Sequence, residues 1–387
     1  MESELSQPML HFAIDIYKQL KGSGDNVFFS PFSIAAALSM TLAGTRGNTA
    51  NEISTALHVQ DSASIHGAFS HLRKSFLSYA PDIALHVANR IYCERALQPL
   101  RAFCTLLEEY YSTTIESVDF RNDAETARQD INAWVESVTN DKIKDLLGKG
   151  AVNDSTLMVL VNAVYFKGTW EDRFKESLTE PMDFHETCSI TKKVDMMFQE
   201  GPFRMGYNSD MKASILELPY TGNNASMVVL LPDDIEGLTS LEECLTLQNL
   251  SSALDGMTWE SKVELYLPKF KIEYETKLRE VLENLGIKHL FSDTGDLTGI
   301  SKNEEVKFSD AVHKTFVDVN EHGTEAAAAT ATFRLGCSMQ QKVVPPKVFK
   351  ADHPFMFLIR TRELNVVLFV GSVKYKMCHP RSTTGEW

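Results

Sequence analysis

Six cysteines are few for 387 residues, and Cys93, Cys104, Cys188, Cys244, Cys337 and Cys378 are dispersed without metal-ligand or redox spacing. A dense disulfide framework is therefore not expected. Positive charge is also short. Lys and Arg number 38 against 52 Asp and Glu, for a formal net charge of -14. No Lys/Arg-dense face stands out, which argues against a nucleic-acid partner. No apolar run reaches membrane-spanning length, so no membrane partner is expected. Residues 1–7 lack a basic segment and an apolar core, so no secretory signal is visible. Nucleophile elbow, zinc motif and phosphate loop are all missing. Neither an enzyme nor a bound metal or cofactor is expected.

Apolar residues suffice for a large core, at 43% of the chain, an ordinary globular share. Met9, Ala13, Ile16 and Leu20 recur at helical spacing, as do Leu10, Ile14 and Tyr17. Residues 22–26 end that helix. Val27, Phe28 and Phe29 open a short strand stopped by Pro31, and Ser33 starts a helix running through Met40. The pattern predicts further helices over 124–147 and 276–285, the latter closed by Gly286. Runs at 157–166, 226–231 and 366–370 suit strands covered on both faces. Residues 263–267 alternate, as a half-buried strand does, and 315–319 also read as strand. Helices crowd the first third and strands the rest, with no linker or repeat. One α+β domain over residues 1–387 is expected.

Beyond the 315–319 strand the chain loses its bulk: Glu321, His322, Gly323, Thr324, Glu325, Ala326, Ala327, Ala328, Ala329, Thr330, Ala331, Thr332. The glycine supplies a hinge. Almost nothing after it can be buried with gain. Alanine favours helix, but this run is too short to hold one alone in water, and the threonines favour extended chain. Such a segment can lie exposed as an alanine-rich surface loop, or slide between two strands without a clash. Strand side chains alternate faces, so an inward Thr324 would take Ala326, Ala328, Thr330 and Thr332 inward with it. Small groups avoid the ~1–3 kcal/mol that each overpacked residue costs. Ladder hydrogen bonds contribute ~0.5–1.5 kcal/mol net apiece. Over about a dozen residues the gain could exceed ~10 kcal/mol, which leaves the uninserted form stable by its barrier.

The chain resembles the serpin superfamily along nearly its whole length, in the style of arthropod serpins and the tick salivary group in particular. The matching blocks are NVFFSPFSIAAALSM at 26–40, TRGNTANEI at 45–53, NAVYFKGTW at 162–170, VDMM at 194–197 and LPKF at 267–270. The 285–300 block closing in DLTGI, the hinge at 321–332, DHPFMFLIR at 352–360 and FVGSV at 369–373 follow in order. The resemblance implies three β-sheets surrounded by eight or nine helices, with an exposed reactive loop at about 321–345. It also implies a suicide pseudo-substrate. A serine protease cuts the loop, forms an acyl-enzyme, and is carried away as the loop inserts into the central sheet.

In this family the residue that enters the protease's pocket lies sixteen positions after the hinge glutamate. Counting from Glu321 makes Cys337–Ser338 the reactive bond. Cysteine is small and fairly apolar, which suits an elastase-like or chymotrypsin-like protease and offers nothing to the acidic pocket of a trypsin-like one. Cleavage after Arg334 would shorten the inserting segment by three residues, roughly 10 Å, and should give simple proteolysis. The resemblance places a sheet-opening gate at Ser30, Ser33, Asn162 and His313. It places Trp170, Lys269 and Glu321 where the loop enters. A Lys269–Glu321 pair there, read as exposed, would contribute only ~0–1 kcal/mol. The bland alternatives are a helix cap at Ser33 and solvated charges at the pair.

Sequons stand at Asn153, Asn224 and Asn249. Residues 61–80 correspond to the helix that binds heparin in some serpins. His66, His71, Arg73 and Lys74 form no basic stripe there, so glycosaminoglycan activation is not expected. A monomer is expected. Family resemblance favours a secreted, extracellular protein, and the missing leader leaves an intracellular role open. A non-inhibitory carrier or chaperone is the alternative function, which bulky, charged or proline residues in the hinge would favour.

Overall fold

Two hydrogen-bonded networks of strands carry the molecule. The computed structural model describes residues 5–23, 25–60, 64–80, 82–302, 306–324 and 345–375. Glu325, Ala326, Ala327, Ala328, Ala329, Thr330, Cys337 and Ser338 lie outside the described residues, as does Cys378. With elements numbered along the chain, the first network is a six-stranded sheet. Its order is β10 (Phe270–Lys277), β11 (Asp310–Asn320), β12 (Gly323–Thr324), β4 (Met158–Thr169), β2 (Ile83–Glu94) and β3 (Ile115–Val118). The second runs β1 (Val27–Phe29), β15 (Val367–Val373), β14 (Phe355–Thr361), β8 (Ala225–Pro232), β7 (Ala213–Pro219), β6 (Thr191–Asn208), β9 (Thr258–Pro268) and β13 (Lys347–Lys350). A ninth strand, β5 (Glu180–His185), pairs with the first half of β6.

The three expected sheets are thus bonded as two networks, because β6 passes through both smaller sheets. Residues 191–196 of β6 pair with β5, 196–205 with β9 and 204–208 with β7. Its register against β9 shifts between Gly201 and Phe203, where the ribbon turns from one sheet to the other.

Nine α-helices surround the strands among the described residues: α1 (Ser6–Leu20), α2 (Pro31–Gly44), α3 (Gly47–Ala56), α4 (Ser64–Leu77), α5 (Arg101–Leu106), α6 (Phe120–Val138), α7 (Leu238–Glu243), α8 (Leu247–Asp255) and α9 (Leu278–Asn284). None is long and apolar enough to cross a membrane. Helix α2 is apolar on nearly every side because it lies between the six-stranded sheet and β15, with all its residues but Ala43 buried. Helix α6 covers the opposite face of that sheet. Its Phe120, Ile131 and Val135 pack with Val161, Ala163 and Tyr165 of β4 and with Val312 and Phe316 of β11.

Three sequence expectations shift. Helix α2 starts at Pro31, not Ser33, because the Ser30 hydroxyl accepts from the Ser33 N–H and Pro31 sits where no donor is needed. The 124–147 helix is Phe120–Val138 instead. Asp119 caps it, and Asn140 and Asp141 leave it in the left-handed region. Thr276 and Lys277 belong to β10, and α9 starts only at Leu278.

Candidate functional site

The site is a seam. Strands β4 and β11 run parallel and are paired directly from Asp310–Val159 to Phe316–Tyr165. Higher up the seam opens. After Asn320 the chain turns at Glu321 and His322, and β12 comes back between the two strands. Thr324 sits opposite Val319 on one side and Gly168 on the other. Two residues of the low-bulk stretch are therefore already a strand in the sheet.

Gly323 is required for this re-entry. Its φ is +148°, and a β-carbon there would lie 2.1 Å from the Gly168 carbonyl oxygen. Thr324 is wholly buried, and its Oγ1 is 2.8 Å from the Tyr220 hydroxyl. The residue points inward, which meets the condition from which the alternation of the following residues is reckoned. Tyr220 stacks on Trp170 with ring centroids 4.6 Å apart. Trp170 donates from Nε1 to the Asn320 carbonyl and from its backbone N–H to that of His322, each at 3.0 Å.

Glu321 departs from expectation. It is only 5% exposed, because the turn folds it under. Its carboxylate meets Lys269 Nζ at 3.0 Å and accepts from the Thr179 hydroxyl at 2.8 Å. Burial pushes its pKa up, but the hydrogen bonds from Lys269 and Thr179 help hold it below the usual carboxylate value. The surface ion pair expected from sequence is a half-buried one with its acid end enclosed.

The four residues expected to form a gate meet in one hydrogen-bonded network under the middle of the seam. His313 of β11 and Asn162 of β4 lie directly opposite each other, and both are wholly buried. The Ser30 backbone N–H donates to His313 Nε2 at 3.1 Å. A backbone N–H can only donate, so Nδ1 carries the ring proton and gives it to Asn162 Oδ1. The two N–H bonds of the Asn162 amide are then shared among the Ser33 carbonyl at 2.8 Å, the Ser33 hydroxyl at 2.9 Å and Asn89 Oδ1 at 2.6 Å. The Ser30 hydroxyl donates to the Leu368 carbonyl at 2.7 Å. Burial lowers the His313 pKa to about 3, so the ring is neutral. This one network joins β2, β4, β11, α2 and β15, and it can exchange partners if β4 and β11 part.

A family model described as Serpin (serine protease inhibitor) matches residues 7–375. The chain belongs to the serpin family. Iris of Ixodes ricinus is 52% identical over 97% of this serpin and 100% of its own length. Leukocyte elastase inhibitor of Sus scrofa is 40% identical over 95% and 98%. The solved structure of Serpin48 from the insect Tenebrio molitor superposes with a TM-score of 0.87 at 35% identity, covering 97% of this serpin and 98% of that chain. Serpins are protease inhibitors by family description.

Three residues of the serpin's seam escaped the sequence reading. Asn89 joins the buried network from β2, opposite Asn162. A lone amide in an otherwise alternating strand was its only signal. Tyr220 and Thr179 left none, because their roles arise from chain segments far apart in sequence. Of the sequons, Asn153 is exposed. Asn249 spends its amide on the Cys244 carbonyl, and the hydroxyl residue of the Asn224 sequon, Ser226, is wholly buried against Glu217. His66 is buried with its ring nitrogen 2.6 Å from the Tyr111 hydroxyl, which removes it from any anion-binding face of α4. Cys93, Cys104, Cys188 and Cys244 are free thiols.

Proposed function

We propose that this serpin inhibits serine proteases as a suicide pseudo-substrate, by inserting its cut loop between β4 and β11. The protease's serine oxygen adds to the Cys337 carbonyl, and the Cys337–Ser338 bond breaks with the Ser338 amine leaving as it takes up a proton. The loop, ester-linked to the protease, then continues β12 down the seam. The observation that carries the reading is the place of β12, which already lies between the two strands that must separate.

The register supports it in detail. Continued downward, the pairings of Thr324 with Val319 and with Gly168 bring residue 330 opposite both His313 and Asn162. Those two residues face each other now. The inserting strand can therefore enter without either neighbour sliding. Thr330 would take the place of the His313–Asn162 hydrogen bond with a hydroxyl able to serve both.

Cys337 favours an elastase-like or chymotrypsin-like target, in keeping with the relatives named leukocyte elastase inhibitor. An extracellular site of action is part of this reading, and Asn153 is an exposed sequon that glycosylation could use. Incubation with elastase-like and trypsin-like proteases tests the reading. An SDS-stable complex whose released peptide begins at Ser338 is the expected product. Cleavage after Arg334 should yield free protease. Proteolysis without any stable complex would overturn inhibition and favour a carrier.

A further inference from the structure

We propose that His11, Asp15 and His58 form a site for a divalent transition-metal ion of the zinc class, outside the seam and its hinge. Helix α1 brings His11 and Asp15 to one face, four residues apart. His58 arrives just past the end of α3, in a left-handed conformation at φ 55° where glycine is usual. The backbone there is fixed by hydrogen bonds from the His58 N–H to the Thr55 carbonyl at 3.1 Å and from the Val59 N–H to the Ser54 carbonyl at 3.0 Å. That turn lays the two imidazoles face to face, with centroids 3.7 Å apart and planes within 9°. His58 Nε2 lies 2.7 Å from Asp15 Oδ2.

One donor atom from each residue lies within 4.8 Å of the others. Two imidazole nitrogens and a carboxylate oxygen are the donor set that zinc, copper and nickel accept, leaving a fourth position for water. All three side chains are half-buried and so reachable from solvent. Stacked rings do not aim their lone pairs at one point. Binding therefore requires each ring to turn about its terminal bond, and the stack is replaced by a shared ion at about 2.0–2.2 Å from each donor. Local spacing does not reveal the site, because the third donor is 43 residues from the second. A bound ion would clamp α1 to the end of α3 and favour the folded chain over the unfolded one.

The test is titration of the full chain with Zn²⁺ alone, followed by calorimetry and thermal melting. The wild type should bind one ion at this site and melt higher with it. His11→Gln and His58→Gln should each weaken that binding about tenfold or more, since loss of even an outer partner of a metal ligand costs 10–100-fold. Protease inhibition should be unchanged. Undiminished affinity in both variants would overturn the proposal, as would absence of Zn²⁺ binding by the wild type. Should a variant fail to fold, diethyl pyrocarbonate labelling of the wild type decides. Zn²⁺ must protect His11 and His58 from modification, and equal labelling with and without the ion refutes the site.

Discussion

Gly323 and Thr324 do opposite jobs within one peptide unit. Gly323 has no space for a side chain, and Thr324 fills a buried space with one that is small and bonded. Gly323→Ala should push β12 out of the seam, and a burst of cleaved, uninhibited product measured against the stoichiometry of inhibition will show it. Thr324→Arg buries a charge beside Tyr220 with nothing to pair it, at a cost of several kcal/mol. It should turn the protein into a substrate, with the ratio of inhibitor to protease rising severalfold. His313 sets a pH dependence. Its pKa is about 3 folded and about 6.5 unfolded, so folding favours the neutral ring. That contribution is complete above pH 6.5 and is lost as pH falls from 6.5 toward 3, at about 1.4 kcal/mol per pH unit. Urea midpoints across that range should fall with acid, and His313→Gln should flatten the slope. Ser30, Ser33, Asn162 and His313 were legible in sequence because each lies within a family block or its register. Glu321 was legible as a residue but not in its burial, which depends on a turn that only the assembled sheet imposes.

Among elements, α6 packs over the seam on the face away from α2. On the proposed insertion, the new strand would send alternate side chains to the face that α6 covers, so the helix would have to lift. Ile131 is wholly buried between helix and sheet. Ile131→Ala should remove about 2–5 kcal/mol of packing. If α6 resists insertion, the variant should convert spontaneously to an inserted, protease-inactive form faster than wild type, as followed by native gel at constant temperature. Trp134, whose ring centroid lies 4.0 Å from the Arg90 guanidinium of β2, also holds α6 to the sheet by a contact worth ~0.5–1 kcal/mol at a partly exposed site. The helix itself was legible from its apolar spacing. Its end was not, because Asn140 and Asp141 adopt positive φ only where the chain must cross back over the sheet. The continuous apolar runs announced β4, β8 and β15, and their pairing order could not be read from any one of them.

At the scale of the molecule, β12 lies between β4 and β11 at one end of the seam, and the two strands pair directly below it. Each further inserted residue gains ladder bonds on two sides, and the low-bulk composition keeps packing penalties small. On the proposed mechanism the intact form persists by a barrier to which the His313–Asn162 network, α6 and the Lys269–Glu321 pair contribute. Relaxing any of them should shorten its lifetime without weakening the inserted form. The same logic fixes the most direct test. Cut the loop with a protease that the serpin does not trap, purify the product, and compare its thermal unfolding with that of the intact protein. Insertion between β4 and β11 predicts a melting temperature raised by tens of degrees, since a gain above ~10 kcal/mol outweighs the whole stability of many domains. A cut molecule that unfolds at the same temperature as the intact one would contradict the account.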